Sequence, residues 1–314
     1  MILRRLFVAI PVLVISSFVM FVMVSLSGNP LARFLNSNPP PDAETIRLLE
    51  LEYGVHGSLL ERYWAWITGV FRLDFGRSTQ GLQIGQSIWN SFGTTLVLIV
   101  GAILVAAVFA VVIGVVSGVR QLSAVDTTLS ALVLVALATP TFWLAILLKN
   151  GGVSVNAGLG VRLFYTVGDG AGQGFPVRLG FLILPVLVLV VNIFAAWCRY
   201  IRASVIDVMS MDFVDLARAK GLSEWRVVRK HVLRNALIPF VTVAALDFGS
   251  LVGGAVVTET VFQWRGMGDL LLNGIQNTDT NLVMAWMLIF ATATIALNLL
   301  ADVLYGLLDP RVRR

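Results

Sequence analysis

The sequence predicts an all-α integral membrane protein with six transmembrane helices and a long, helical extracytoplasmic loop after the first of them. The 314-residue chain is 57% hydrophobic and only 13% charged, whereas soluble domains carry about 25% charged residues. Six stretches hold the roughly 20 mostly apolar residues that a helix needs to cross a bilayer. None of the six alternates apolar and polar residues with period two, which argues against a transmembrane barrel.

The six predicted spans follow one another along a single membrane domain, 1–314. Apart from Asp247 in the fifth span and Asp302 at the edge of the sixth, they contain no charged residue. Pro140 and Pro185 lie in the third and fourth spans, and because proline kinks a helix we expect both to be bent. The spans cover residues 6–26, 92–119, 127–148, 179–198, 236–258 and 280–302.

Positive charge sets the predicted orientation, because Lys and Arg collect on the cytoplasmic side of a membrane. Eight of them fall between Arg199 and Arg234, which places the loop 199–235 and both termini in the cytoplasm. This distribution accounts for the net charge of +5 without a nucleic-acid partner. Basic side chains beside the membrane also contact lipid headgroups.

Three segments are then predicted on the outer side. The loop 27–91 contains two short amphipathic helices, the first capped by Asp42 and ended by Gly54, the second rich in Trp and Tyr as at a membrane surface. The stretch 150–177 is rich in glycine and is expected to be irregular. In "FQWRGMGDLL", after the fifth span, we expect Phe262, Trp264 and Arg265 to receive a partner protein.

Catalytic chemistry is not indicated anywhere in the chain. There is no phosphate-binding G-x-x-x-x-G-K-[ST] loop, no H-E-x-x-H and no G-x-S-x-G. A single cysteine, Cys198, excludes an intrachain disulfide, and two distant histidines leave little for a metal site. The sequence therefore predicts no enzyme, no catalytic residues and no metal ligands, and it leaves transport or sensing as the function.

Two polar residues inside spans are candidates for a translocation path. A charge at mid-helix costs about 2.5–3.5 kcal/mol on insertion scales, so Asp247 is expected to face a water-filled path or a partner, or else to pair with a polar group of a neighbouring helix or be protonated. In the first case it could hold a cationic group such as a peptide amino terminus. Asn192 is also mid-span, and hydrogen bonding between helices is its favoured role.

The polar stretch "DFVDLARAKGLSEW", residues 212–225, predicts a short, firmly bounded helix on the cytoplasmic side. Asp212 is expected to cap it, and Gly221 stands where a helix ends. Phe213, Leu216 and Ala217 are expected to share one face. Ser223 then starts a second, basic helix over about 224–237, which a lipid surface would explain; a lipid surface does not explain the first helix.

At these residues the chain resembles a known family. "DLARAKGLSEWRVVRKHVLRNALIP" is similar to the cytoplasmic signature loop of bacterial ABC importer permeases, with Ala217 to Gly221 matching its core and Asp215 only near its acidic position. Asn29 stands where relatives usually have Asp after the first span. Further stretches similar to permeases of the dipeptide/oligopeptide/nickel (DppB/OppB) family are "ILRRLFVAIPVLVISSF", "EYGVHGSLLERYWAWITGVFRLDFGRS", "TPTFW", "TETVFQWRGMGDLL" and "LLADVLYGLLDPRVR".

This resemblance implies a type I ABC importer permease in the bacterial inner membrane, forming half of a translocation path for di- or oligopeptides. Its implied partners are a second homologous permease of the DppC/OppC type, two ATPase subunits of the DppD/DppF or fused type, and an extracytoplasmic substrate-binding protein. ATP and Mg²⁺ would bind to the ATPase subunits, and this chain itself would hold no cofactor. The implied ATPase-coupling residues are Asp215, Leu216, Ala217, Arg218, Ala219, Lys220, Gly221 and Leu222.

Alternatives stay open at this stage. Within the family the substrate could be a nickel complex, glutathione or haem, because the binding protein usually selects it. Outside the family, a channel or secondary transporter working alone would have no evident use for a capped cytoplasmic helix. A membrane-embedded enzyme is weakly supported, since no catalytic constellation is present.

Overall fold

The structure is a computed structural model that describes residues 2–39 and 41–308. Within that part the chain is helical, and the one strand-type pairing is an isolated bridge between Arg77 and Gln83. The helices are α1 (Ile2–Ser27), α2 (Ala32–Leu35), α3 (Ala43–Glu52), α4 (Leu59–Phe71), α5 (Ile84–Val119), α6 (Ala124–Ala138), α7 (Thr141–Leu159), α8 (Phe175–Met209), α9 (Asp212–Ala219), α10 (Glu224–Val227), a π-helical segment (Val228–Val232), α11 (Leu233–Phe262), α12 (Met267–Gln276) and α13 (Thr280–Leu308).

Four of the described helices are long and apolar enough to cross a membrane. They lie in α1, α5, α8 and α13, and they contain the first, second, fourth and sixth predicted spans. The α6–α7 pair makes a fifth if it is counted as one bent span. The predicted span 236–258 lies within α11, where the side chains of 242, 245, 246, 248–250 and 252–254 are outside the described set, so that span stays a prediction.

The third predicted span, 127–148, is bent at Pro140 as expected, but the bend separates two helices and is larger than a kink. α6 and α7 meet at an angle of 101°. The cause is Pro140, which forces the preceding Thr139 into extended backbone (φ −78°, ψ 119°). α7 then continues to Leu159 and ends at the left-handed Gly160 (φ 66°), so the first part of 150–177, predicted to be irregular, is helical. Pro185, by contrast, is accommodated inside α8.

The predicted end of the fourth span at residue 198 is also corrected. α8 extends to Met209, eleven residues past the predicted end of the fourth span. Ile201, Val205 and Val208 in this extension are buried, and their helical spacing places them on one face. The extension therefore continues the packed helix and leads directly towards α9.

Two compact units are present, one formed by 1–95 with 265–296 and the other by 96–264 with 297–314. In the first unit α4 lies against α1 through Tyr63, whose hydroxyl is 2.9 Å from Ser17 Oγ. The buried Asp279 carboxylate accepts hydrogen bonds from Ser78 Oγ (2.5 Å) and Thr79 N (2.8 Å), which fastens the loop 27–91 to the start of α13. Asp42 caps α3 as predicted, accepting from Thr45 N at 3.3 Å.

In the second unit α5 packs closely against α8 at Gly114 and Gly118, two small residues four positions apart. A Cβ added at Gly118 would lie 2.8 Å from Val205 Cγ1 and 3.1 Å from the backbone oxygen of Arg202. Small residues let helix backbones approach in this way, and the approach is what stabilises helix pairs within a bilayer. Ala102, Ala106 and Ala110 continue the same spacing earlier in α5 and are fully buried.

We therefore expect Gly118→Ala to destabilise the protein. The added methyl group meets a packed helix that cannot yield easily, so the free energy of unfolding should fall by about 1–3 kcal/mol, as for overpacked cores. Thermal unfolding of the purified protein in detergent measures this. Gly93→Ala is the matched control, because it lies in the same helix with no atom within 4 Å of the added Cβ; an equal loss in both variants would contradict the packing argument.

Candidate functional site

Helix α9, Asp212–Ala219, forms where the sequence predicts a short cytoplasmic helix, but it begins differently. Met211 is the N-cap residue, and no side chain makes a capping hydrogen bond there. Asp212 is the first helical residue, so its predicted role as cap is wrong. Its carboxylate lies in the first turn together with Asp215, where negative charge favours the positive end of the helix dipole.

The end of α9 is as the sequence predicts, and its geometry is firmly set. Gly221 adopts a left-handed conformation with φ +77°, which glycine reaches without strain. Its N–H donates to the Arg218 carbonyl at 2.9 Å, and the N–H of Leu222 donates to the Ala217 carbonyl at 3.4 Å. This pair of bonds is a Schellman ending, which satisfies carbonyls that the last turn leaves open.

The faces of α9 differ from the predicted grouping. Val214 and Ala217 are buried, whereas Phe213 and Leu216 are 38% and 57% exposed. Ala217 therefore belongs to the face that packs against the rest of the chain, and the prediction that it shares a face with Phe213 and Leu216 is wrong. α9 therefore packs against the rest of the chain through Val214 and Ala217 and exposes the large apolar side chains of Phe213 and Leu216.

Arg218 ties α9 to the segment that follows it. Its guanidinium donates to Glu224 Oε1 at 2.9 Å and to Asp215 Oδ1 at 3.0 Å. Bonding to these two carboxylates raises the pKa of Arg218 above its ordinary value. A further contact of 3.9 Å to Met209 Sδ reaches the end of α8, so one side chain joins three successive elements.

The predicted second helix is the start of a longer one. α10 begins after Ser223, whose carbonyl accepts from Arg226 N and Val227 N, and the chain continues through the π segment into α11. Val228 and Val232 are buried, but Trp225 is 70% exposed. Trp225 therefore does not belong to the buried face on which Val228 and Val232 lie.

Both candidate path residues are hydrogen-bonded to a neighbouring helix. Asp247 Oδ2 accepts from Trp197 Nε1 at 2.7 Å, which links α11 to α8. Asn192 on α8 donates to the Thr141 hydroxyl at the start of α7. Asn192 is exposed and Asp247 is partly buried. Pairing between helices, one of the two predicted roles of Asp247 and the favoured role of Asn192, is thus observed.

The segment after α11 corrects two of the predicted contact residues. Phe262 and Trp264 are buried in this chain, so neither presents its side chain to a partner, and only Arg265 is exposed. The sequence could not reveal this, because their burial depends on segments distant in the chain. Phe262, for example, belongs to a core cluster with Ala145 and Leu184.

The structure also brings together a group that the sequence analysis missed. Asp126, in the first turn of α6, is buried and forms a two-pronged ion pair with Arg202 on α8. Asp126 lies one residue before the apolar run of the third predicted span, so it was not considered as an intramembrane charge. Its position three residues after the helix-capping Ser123 indicates the start of a helix. Nothing in the sequence indicates its pairing with Arg202.

Residues 110–314 match a family described as the binding-protein-dependent transport system inner membrane component. The chain is 37% identical over 317 residues to the oligopeptide transport system permease protein OppB of Mycobacterium bovis, covering 99% of this chain and 98% of that relative. It is 35% identical over 313 residues to the glutathione transport system permease protein GsiC of Salmonella choleraesuis, with the same shares covered.

A solved structure of inward-facing conformations of the MetNI methionine ABC transporter shares the fold. The match has a TM-score of 0.58 at 16% identity and covers 71% of this chain and 97% of that chain. At this level of identity the likeness concerns the fold alone. It confirms the permease fold that the sequence motifs imply.

Gly221→Ala should loosen the end of α9. A side chain in the left-handed region costs about 1–2 kcal/mol. Hydrogen exchange at the backbone amides of Lys220 and Leu222 should therefore become about fivefold to thirtyfold faster. Mass spectrometry of exchanged protein measures this. The matched control is Gly81→Ala, at φ +79° with no atom within 4 Å; faster exchange of α9 in that variant would refute the local assignment.

Proposed function

Because the chain belongs to the family of binding-protein-dependent transport system inner membrane components, we propose that it forms half of the translocation path for di- and oligopeptides. It is the membrane subunit of an ABC importer, and it works in a complex with ATPase and other subunits. The chain is not itself an enzyme, since the ATPase activity lies in those partner subunits.

The names of two relatives support a peptide substrate. One is an oligopeptide permease and the other a glutathione permease, and both cargoes are built from amino acids joined through amides. Uptake of labelled dipeptide, longer peptide, glutathione and a nickel complex by the reconstituted importer with its binding protein tests the substrate class. Uptake of the nickel complex alone would reject the peptide proposal.

The coupling role is assigned to α9 and its ending, Asp215 to Leu222. The single observation that carries it is the exposure of Phe213 and Leu216 on a helix whose opposite face is packed and whose end is fixed by Gly221. A short, stiff element transmits a displacement that a loose loop would absorb. In the proposal these side chains seat in a groove of an ATPase subunit, which binds ATP and Mg²⁺ and moves α9 as it closes.

The remaining partners follow the same scheme. A second homologous permease supplies the other half of the path, and the proposed path residues of this chain are Asp247 and Asn192. An extracytoplasmic binding protein delivers the substrate, and Arg265 is the proposed contact because it alone of the three predicted residues is exposed. The protein lies in the bacterial inner membrane with both termini and α9 in the cytoplasm.

Cysteine labelling tests this orientation. The single native cysteine, Cys198, is buried, so a membrane-impermeant maleimide has little background. We expect Gly172→Cys, in the external loop, to be labelled in intact cells, and Gln121→Cys, in the turn after α5, to be labelled only after lysis. Both positions are exposed. The reverse pattern would overturn the orientation.

The coupling proposal predicts the effect of removing the exposed apolar side chains. The double variant Phe213→Ala with Leu216→Ala should lower peptide uptake by at least tenfold, because docking in the ATPase groove is lost, while membrane insertion is unchanged. Uptake and co-purification of the ATPase subunits are measured together.

Leu122→Ala is the control, since Leu122 is 87% exposed and is predicted on the same side of the membrane. It should leave uptake and co-purification unchanged. Normal uptake in the double variant would reject the coupling role of α9.

A further inference from the structure

The carboxylate of Asp126 holds three elements together at the end of α5. Its two oxygens accept from Arg202 Nε at 2.7 Å and from Arg202 Nη2 at 2.8 Å. The N–H of Leu122, in the turn between α5 and α6, donates to Oδ2 at 2.9 Å. The hydroxyl of Ser117, in the last turn of α5, donates to Oδ1. α5, the turn with α6, and α8 therefore share one buried charge.

The strength of this junction follows from its burial and its fork geometry. Asp126 is only 3% exposed, so solvent and salt screen the pair far less than a surface pair. Two parallel N–H···O bonds between a guanidinium and a carboxylate fix orientation as well as distance. Lysine has the same charge but a single point donor, so it cannot reproduce that constraint.

The junction lies on the shortest covalent route from α9 into the membrane helices. Arg202 is seven residues before Met209, the last residue of α8, which is about 10 Å along a helix. α9 begins at Asp212, and Arg218 returns to contact Met209. Close packing of Gly114 and Gly118 against Ile201 and Val205 runs beside the ion pair.

We propose that Asp126 and Arg202 are positioning residues that make α5, α6 and α8 move as one body when α9 is displaced. The inference rests on the proposed coupling role of α9. It adds the two residues through which a displacement of α9 and α8 is passed on to α5 and α6. Without this two-bond ion pair, α8 would tilt relative to the turn between α5 and α6. A displacement of α9 would then move α8 without moving α5 and α6.

The experiment uses the complete importer, with its ATPase subunits and binding protein, in liposomes. Asp126→Asn and Arg202→Lys are compared with the wild type for assembly, for ATP hydrolysis and for labelled peptide imported per ATP hydrolysed. We expect assembly and basal hydrolysis within about twofold of wild type and at least a tenfold fall in peptide imported per ATP. Arg199→Lys, an exposed arginine one turn earlier on α8, is the matched control and should keep the wild-type ratio.

A second readout does not depend on transport. Spin labels on Gln121→Cys and Asp207→Cys in a Cys198→Ser background report the distance between the α5–α6 turn and the end of α8. We expect one distance with and without ATP in the wild-type junction, and a changed or broadened distance on adding ATP when Arg202→Lys is present. An unchanged distance and an unchanged transport ratio in both junction variants would overturn the inference.

Loss of assembly, hydrolysis and uptake in equal proportion would also overturn it, because that result describes a structural support only. The variants of Phe213 and Leu216 separate the two proposals. If they lower the peptide-to-ATP ratio and the junction variants do not, the coupling role of α9 stands and this inference fails. If neither set lowers the ratio, the coupling role itself fails.

Discussion

A buried polar group must find its hydrogen-bond partners within the protein, and this constraint governs how the chain ends and interrupts its helices. α11 ends at Phe262, and two distant groups satisfy carbonyls in its last turn. Lys149 Nζ donates to the Val261 oxygen at 2.7 Å, and the N–H of Gly168 donates to the Phe262 oxygen at 2.9 Å. The charge on Lys149, far along α7 from the bend at Pro140, thereby has a specific acceptor. The same logic explains why the carboxylate of Asp126 meets a backbone N–H as well as a guanidinium.

Helices α9 and α10, which we propose to be cytoplasmic, obey a different balance, because water is available to exposed backbone groups. A helix of eight residues is marginal alone, so α9 depends on its buried Val214 and Ala217 and on the fixed ending at Gly221. Surface pairs such as those of Arg218 add little individually, but here they join α8, α9 and α10 through one side chain. The coupling role proposed for α9 depends on this local rigidity.

How far the sequence was predictive depends on the range of the interactions involved. The end of α9 was predictable because a positive φ at Gly221 is a local requirement that the residue type reveals. The caps of α3 and the break at Pro140 are local as well, although the 101° bend is larger than a kink within one span. The burial of Phe262 and Trp264 and the pairing of Asp126 with Arg202 are set by segments tens of residues away, which hydropathy and spacing do not report. Asp247 lies between these cases. The free-energy cost of a carboxylate within a span indicates that it has a partner, but only the fold identifies that partner as Trp197.

The π segment at Val228–Val232 fixes the angular phase between α10 and α11. A π turn holds about one residue more than an α turn, so the side chains before and after it are offset by about 100° relative to an uninterrupted α-helix. Before it, Trp225 is exposed and Val227 is buried, and after its start Val228 and Val232 are buried. A homologous chain one residue shorter within 228–232 would keep every side chain of α9 and α10 and yet present them in another direction. Under the proposed coupling role, the number of residues in this segment therefore sets the direction in which α9 meets its partner, alongside the identity of the residues that it orients.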